Sequence, residues 1–384
     1  MCRKIILNGQ FFIQKTTGQQ RYAREILFEL DKILKKDELI IVVPKKAVVP
    51  EYKNIAIVRF GWLNNRLWEQ ICLPLYLFMH SCISFNFCNT TPFLRCGITV
   101  VHDILLKVHP EYFTTIKGKL ARFYYSLNLM RIIRGTQPIV TVTEFSKQQL
   151  IQICKVSHER ISVIGNAWQH FERVEENEYF FENHPNIEKN KYYFALGSLA
   201  KQKNFDWIYE NARLFPKNIY VIAGKSVQNY KSHLKKPENI IYLGYVSDGD
   251  VKTLMRNCKA FLFPSSFEGF GIPPLEALSV GAQVVSSNEA CLPEVLEKAV
   301  HYIHSYNPNV NLDELIAVPI SQRANTILHK YSWKSSAQKL YECIKQYETK
   351  MSECALKKSE IFNEKQYFKD FTNLLNDIGE KHNA

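Results

Sequence analysis

The stretch Phe263-Pro264-Ser265-Ser266-Phe267-Glu268-Gly269-Phe270-Gly271-Ile272-Pro273-Pro274-Leu275-Glu276-Ala277-Leu278 constrains this chain more than any other. Just before the turn, Ala260 to Phe263 is an apolar run of strand length. Pro273 and Pro274 can open a helix, because proline fits a first turn where its missing N–H is not needed. That helix is expected to run through Leu278 and stop at Gly281. A strand, a tight loop and a helix N-terminus therefore succeed one another. Such a place offers backbone N–H groups and a positive dipole end to an anion. Glu268 and Glu276 flank the loop; carboxylates repel phosphate but accept hydrogen bonds from hydroxyls. A ligand with both phosphates and hydroxyls satisfies the whole segment, and a nucleotide sugar is such a ligand.

The rest of the chain alternates strand-like and helix-like segments, which predicts an α/β protein with parallel sheets. Lys4–Asn8, Leu39–Val43, Ile55–Phe60, Ile98–His102 and Ile139–Thr143 read as strands, with helical patterns such as Arg21–Lys35 and Arg66–Phe78 between them. A second series comes later: Tyr192–Leu196, Ile219–Ala223, Ile240–Leu243, Ala260–Phe263 and Gln283–Ser286. The expected layout is two Rossmann-like, doubly wound domains facing each other across a cleft. Residues 1–178 form the first domain and 192–333 the second. The polar, Asn- and Glu-rich segment 179–191 reads as a linker, 334–349 as a C-terminal helix, and 350–384 as a polar tail or surface helix. In open α/β sheets ligands sit beyond the carboxyl ends of the strands, so the loops there are where chemistry is sought.

With 384 residues the chain has room for about two or three domains, and with 46% hydrophobic residues it can bury sizeable cores. The apolar stretch at the N-terminus is too short for a signal peptide and reads as a first strand. The longest apolar run, Leu73 to Phe87, is broken by Pro74, His80 and Asn86; a bilayer-spanning helix needs about 20 apolar residues, so none is expected. Ten cysteines lie scattered without metal-ligand spacing, which suits reduced thiols in a cytoplasmic protein. Charge is divided unevenly. Residues 1–160 hold 23 Lys and Arg against 11 Asp and Glu, a net of +12; the remaining 26 basic and 26 acidic residues cancel. No nucleic-acid motif accompanies the excess, so an anionic membrane surface or a phosphate-bearing acceptor is the expected partner of the first domain. The mixed basic and aromatic segment Phe113 to Arg134 suits such a surface.

Glu268-Gly269-Phe270-Gly271 with Glu276 resembles the Glu-x7-Glu signature of the family 4 retaining glycosyltransferases, which have the GT-B fold. The resemblance extends in order over roughly residues 1–345. Gly18-Gln19-Gln20-Arg21-Tyr22-Ala23-Arg24-Glu25 resembles a first-loop pattern Gly-x-x-Arg-Tyr-x-x-Glu that lies over the donor diphosphate, which singles out Gly18. Val100-Val101-His102-Asp103 is similar to a His-Asp strand end near the donor sugar, which makes His102 a site residue. Gly197-Ser198-Leu199-Ala200-Lys201-Gln202-Lys203-Asn204 resembles Gly-Ser-Leu-x-Pro-Arg-Lys-Asn. There the cations neutralise the diphosphate, a role that falls on Lys203, beside Ser198; Gln202 stands in place of the family's arginine. Gly224 and Leu243-Gly244-Tyr245-Val246 resemble loops that line the nucleotide, with Gly244, Tyr245 and Val246 reaching the base through backbone. Thr143-Glu144-Phe145-Ser146 resembles a strand-to-helix turn in which Ser146 is the expected cap. Arg66-Leu67-Trp68-Glu69-Gln70 with Leu73-Pro74 is similar to the mannosyltransferase-like branch and is read as packing. Cys291-Leu292-Pro293-Glu294 and Tyr331-Ser332-Trp333 are also read as structural, and Gly165-Asn166 is given no firm role.

The resemblance implies a retaining hexosyl transfer from a nucleoside-diphosphate sugar to a glycan or polyprenyl-diphosphate-linked acceptor, in bacterial surface polysaccharide (capsule, exopolysaccharide or lipopolysaccharide) synthesis. Glu268 and the Gly269, Phe270 and Gly271 amides would hold the sugar, Lys203 the diphosphate and Glu276 the ribose. Catalysis would come from positioning and electrostatics, with no side-chain nucleophile. The chain is read as holding no Asp-x-Asp segment, so neither a metal nor another cofactor is expected. Two rivals use the same fold: a sugar-nucleotide epimerase, and a non-catalytic subunit that binds a partner through residues 350–384.

Overall fold

The computed structural model describes residues 4–198, 200–224, 237–320 and 322–356, with side chains through Met351. Leu199 and the tail beyond Leu356, both singled out in the sequence, lie outside the described residues.

Two parallel sheets form the molecule. The first contains β1 (Ile5–Asn8), β2 (Leu39–Val43), β3 (Ile55–Arg59), β4 (Ile83–Asn86), β5 (Ile98–Val101), β6 (Ile139–Thr141) and β7 (Ile161–Val163), in the order β3-β2-β1-β4-β5-β6-β7. The second contains β8 (Tyr192–Leu196), β9 (Ile219–Ala223), β10 (Ile240–Gly244), β11 (Ala260–Phe263), β12 (Val284–Ser287) and β13 (His301–Ile303), in the order β10-β9-β8-β11-β12-β13. Both sheets are doubly wound, as expected. The inner strands are covered by helices on both sides; β1, β4, β5 and β11 are buried throughout, while the edge strand β3 is exposed at alternate positions. Three strands escape a reading of the sequence. β4 lies inside the apolar run Leu73 to Phe87, directly after a helix Leu73–Met79, and β7 and β13 have three residues each. Runs that short carry too little periodicity to separate from their neighbours. Among the described residues, no helix is long and apolar enough to cross a membrane.

Four helices position the site and its surroundings: α1 (Gly18–Ile33), α2 (Ile116–Arg134), α3 (Ile272–Ser279) and α4 (Trp333–Leu356). α4 starts in the second domain and returns to pack on α1 of the first. There Tyr341 donates to Glu38 Oε1 at 2.7 Å and Lys345 pairs with the same oxygen at 3.0 Å. It runs to Leu356, seven residues beyond the expected end at 349. Ala337, Leu340, Ile344 and Met351 keep a buried stripe along it.

Segment 179–191 is not a free linker. Phe180 and Ile187 are buried, and Asn190 N–H donates to the Asn257 carbonyl at 2.8 Å. Just before it, Asn177 Nδ2 donates to Asp250 Oδ1 at 2.6 Å. Its polar composition hides two buried apolar residues, and the Asn190 bond ties the segment to the second domain.

Candidate active site at the domain interface

The loop after β11 takes the expected path. Gly271 has φ +89° and begins α3, which ends at Ser279, two residues before Gly281 at φ +81°. Pro273 and Pro274 occupy the first turn, so that helix end lacks two of the N–H groups a helix start normally offers. The amides left there belong to the loop and to Ile272. Gly269 touches the first domain: a Cβ at this position would stand 2.3 Å from the His102 carbonyl oxygen. Thr143 Oγ1 donates to the Gly269 carbonyl at 3.0 Å, and Glu294 accepts the Glu144 and Phe145 N–H groups at 2.8 Å each. The domains meet through these bonds. Glu294, read as structural, caps a helix of the other domain, and Thr143, not Ser146, supplies that helix's own cap. Ser146 instead donates to the His102 carbonyl at 3.3 Å.

Among the described residues, a cleft of about 440 Å³ opens between the domains. Gly18, His102, Lys203, Glu268, Gly269, Phe270, Gly271 and Glu276 all line it. Gly18 is the first residue of α1 behind a capping box made by Thr17 and Gln20, and a Cβ there would meet nothing within 4 Å. Lys203 Nζ lies 2.6 Å from Glu268 Oε1, both only slightly exposed. Lys203 is delivered by a short turn that Asn204 locks: with φ +53°, Asn204 donates to the Pro264 and Ser305 carbonyls at 3.1 and 2.7 Å. His102 is buried, and Nε2 lies 2.8 Å from the Phe87 carbonyl. A carbonyl only accepts, so Nε2 carries the proton and Nδ1 is the ring's acceptor. Burial pushes the imidazole down to about 4, so it is neutral near pH 7. Asp103 does not orient His102; its Oδ1 accepts the Leu105 N–H at 3.0 Å. Burial, then the nearby Glu268 charge, raises the Asp103 carboxyl.

Glu276 is buried near the start of α3, and Oε1 accepts a hydrogen bond of 2.7 Å from His170 Nε2. The indole N–H of Trp333 lies 3.3 Å from His170 Nδ1. An indole can only donate, so His170 is held as the tautomer with its proton on Nε2, facing Glu276. Neither His170 nor Trp333 is legible in the sequence as a positioning group, since they stand 106 and 57 residues from Glu276 with no shared motif.

Ser198, Gly244, Tyr245 and Val246 are not among the described lining residues. The Gly244 carbonyl is taken by the Gly224 N–H at 2.6 Å, Val246 packs on the core, and Tyr245 is 80% exposed. Gln202, by contrast, lines the cleft where the family's arginine is missing. Arg21, Asp248 and Asn166 also line it. Arg21 pairs with Asp248 across the domains at 3.0 Å. Asn166 is buried and its Oδ1 has no partner among the described residues, an open acceptor on the cleft wall. An Asp-x-Asp segment does exist, Asp248-Gly249-Asp250, contrary to the sequence reading. Its carboxylates are engaged in protein contacts: Asp250 closes a capping box with Ser247, and Asp248 holds Arg21.

Comparison with known proteins agrees with this architecture. Residues 176–318 match the model of the family "Glycosyl transferases group 1". The O-antigen chain mannosyltransferase RfbU of Salmonella typhimurium is 26% identical over 223 residues. That match covers 56% of this chain and 59% of RfbU, so under two thirds of the relative's length is spanned. Two solved structures superpose on nearly the whole chain. Anabaena Alr3699/HepE in complex with UDP and glucose has a TM-score of 0.64 at 15% identity, over 90% of this chain and 100% of that one. WaaG, a glycosyltransferase involved in lipopolysaccharide biosynthesis, has a TM-score of 0.59 at 13% identity, over 90% and 99%. The chain has the GT-B fold, and its residues 176–318 are similar to the glycosyl transferases group 1.

Proposed function

We propose that this chain is a retaining hexosyltransferase that moves a sugar from a nucleoside diphosphate to a glycan acceptor. The observation that carries the reading is the cleft in which Lys203, Glu268 and Glu276 from the second domain face His102 and Gly18 from the first. The donor diphosphate lies against Lys203 and the start of α3, while the Gly269–Gly271 amides hold the sugar. As the glycosidic bond breaks, charge grows on the leaving phosphate, and a preplaced ammonium favours that state most. Glu268, already paired with Lys203, accepts hydroxyls of the donor sugar, and Glu276 accepts those of the ribose. His102, neutral with Nδ1 as acceptor, takes a sugar hydroxyl. The acceptor hydroxyl is deprotonated by the departing phosphate, so no protein nucleophile is used. RfbU is named a mannosyltransferase and HepE holds UDP and glucose; both support a hexosyl donor, and the higher identity to RfbU favours a mannosyl unit. The reaction is proposed to need no metal, which dialysis against EDTA followed by assay tests directly.

The acceptor is proposed to be a lipid-linked intermediate of surface polysaccharide, met at an anionic membrane face. Support lies on the first domain's surface. On α2, Ile116 and Leu120 are 79% and 64% exposed among Lys117, Lys119 and Arg122. A neighbouring helical segment shows Leu67, Ile71, Leu75 and Phe78 at helical spacing, all exposed. Arg66 joins the two, lying 4.5 Å from the Tyr124 ring. Exposed apolar side chains among cations suit an anionic bilayer surface.

The test is a thermal-shift screen of UDP, GDP, UDP-glucose and GDP-mannose, because a ligand that binds only the folded chain raises its melting temperature. One nucleotide is expected to shift the wild type and to fail with Lys203→Ala and Glu276→Ala. No shift with any of them, in folded protein, overturns the reading.

A further inference from the structure

Glu69 is almost fully buried in the first domain, and it does not line the interdomain cleft. It stands in a π-helical turn, Trp68–Cys72, in which Leu73 N–H bonds back five residues to the Trp68 carbonyl. Such turns recur at functional sites. The first two residues of this one face different surroundings. Trp68 faces the core and donates its indole N–H to the Phe60 carbonyl at 2.8 Å, the packing role read for the whole motif. Glu69 faces a polar cavity above the carboxyl ends of β1 and β4.

Three donors hold the carboxylate. Asn8 and Thr90 bind Oε1 at 2.9 and 2.8 Å, and the Tyr124 hydroxyl reaches Oε2 at 3.3 Å. A carboxylate has about four acceptor sites, so this one has capacity left, on the oxygen with the longest contact. Burial pushes the Glu69 carboxyl up, while the bonds from Thr90, Asn8 and Tyr124 pull the other way.

The cavity's place in the fold is informative. β1 and β4 are the strands at which the first sheet reverses its winding. Open α/β sheets take ligands at that point. The equivalent point of the second sheet, between β8 and β11, opens on the cleft of Lys203 and Glu268. The first sheet's switch point opens on the Glu69 cavity instead. That cavity is walled by Gln10, Gln14, Gln19, Arg66 and Tyr124, and Gln19 also lines the interdomain cleft. The two spaces therefore share a wall. The inner volume is about 30 Å³, which suits a hydroxyl group more than a whole ring. Amides, a guanidinium, a phenol and a carboxylate around so small a space are the chemistry that recognises sugar hydroxyls.

We propose that this cavity is the subsite for the terminal pyranose of the acceptor glycan: a hydroxyl of that sugar enters it and donates to Glu69, while Arg66 and Gln19 hold the ring at the mouth. The inference rests on the glycosyltransferase reading of the cleft and extends it to the acceptor.

The test uses the full chain with saturating UDP or GDP, and methyl α-D-mannopyranoside and methyl α-D-glucopyranoside as probes, with binding read by saturation-transfer NMR. The melting shift caused by the nucleotide is read in parallel. Arg66→Ala, at the surface, and Glu69→Gln are each expected to weaken glycoside binding about tenfold, the worth of a hydrogen bond to a charged group, and to leave the nucleotide shift unchanged. Should Glu69→Gln fail to fold, Arg66→Ala carries the test alone. Unchanged glycoside binding in folded variants, or no glycoside binding by the wild type, overturns the proposal. A wild type that binds glycoside but no nucleotide defeats the glycosyltransferase reading instead, and with it the assignment of this sugar as acceptor.

Discussion

His170 Nε2 donates to Glu276 Oε1 at 2.7 Å, and Trp333 fixes which nitrogen of His170 carries the proton. His170 belongs to the end of the first domain, Glu276 to the second, and Trp333 to the start of α4. Three separate parts of the chain thus aim one carboxylate. His170→Ala is expected to weaken nucleotide binding about tenfold, in keeping with the loss of one hydrogen bond to a carboxylate. Trp333→Phe should cost less, because it frees the tautomer without removing the ring. Titration calorimetry with UDP and GDP checks both, and equal affinity in wild type and His170→Ala would sink the assignment.

Lys203 sits 2.6 Å from Glu268 in the cleft. A donor diphosphate competes for the same ammonium. Lys203→Ala should lower kcat by roughly 10² to 10³, the usual effect of removing one preplaced stabiliser of transition-state charge. Lys203→Arg should recover part of it. A kcat unchanged in Lys203→Ala, with the sugar nucleotide that shifts the wild type, would remove the lysine from the mechanism.

Gly269→Ala tests the domain contact. Its new methyl would meet the His102 carbonyl oxygen at 2.3 Å, so the domains must separate to admit it. The clash lies between domains, not within a core. Melting temperature should therefore fall little, while activity falls steeply and small-angle scattering reports a more open molecule. A fully active Gly269→Ala would show that this contact is not needed.

Stability should depend on pH through His102. Its folded-state pKa, about 4, lies below the unfolded value near 6.5. Protonation therefore favours the unfolded chain. The full contribution is present above pH 6.5 and is lost as pH falls from 6.5 toward 4, up to about 3 kcal/mol. Urea midpoints at pH 7 and pH 5 should differ more for wild type than for His102→Gln. Equal differences would contradict the buried neutral ring.

The exposed face of the first domain predicts vesicle binding. Wild type should sediment with vesicles containing phosphatidylglycerol, less with phosphatidylcholine alone, and less again at high salt, where charge attraction is screened. Leu120→Ser with Phe123→Ser should weaken binding without changing nucleotide binding. Indifference to lipid charge would count against the membrane face.

Much of this molecule is legible in the amino-acid order. Apolar runs of strand length between helical patterns are local signals, and they predict two doubly wound sheets. The segment from Phe263 to Leu278 likewise declares a strand, a loop and a helix, because Gly271 and the prolines act on their own backbone. What no local pattern carries is which distant side chains meet. Glu69 and Trp68 are adjacent in sequence, yet Trp68 packs in the core and Glu69 lines a polar cavity. His170 reaches Glu276 only because the domains close on each other and α4 brings Trp333 behind it. Ser198 and Tyr245 lie in familiar-looking motifs but outside the described cleft wall, since a motif fixes the backbone's path and not the wall it ends on. Secondary structure comes from short-range sterics and burial pattern. The hydrogen-bond partners of a buried carboxylate come from long-range packing, which only the tertiary structure decides.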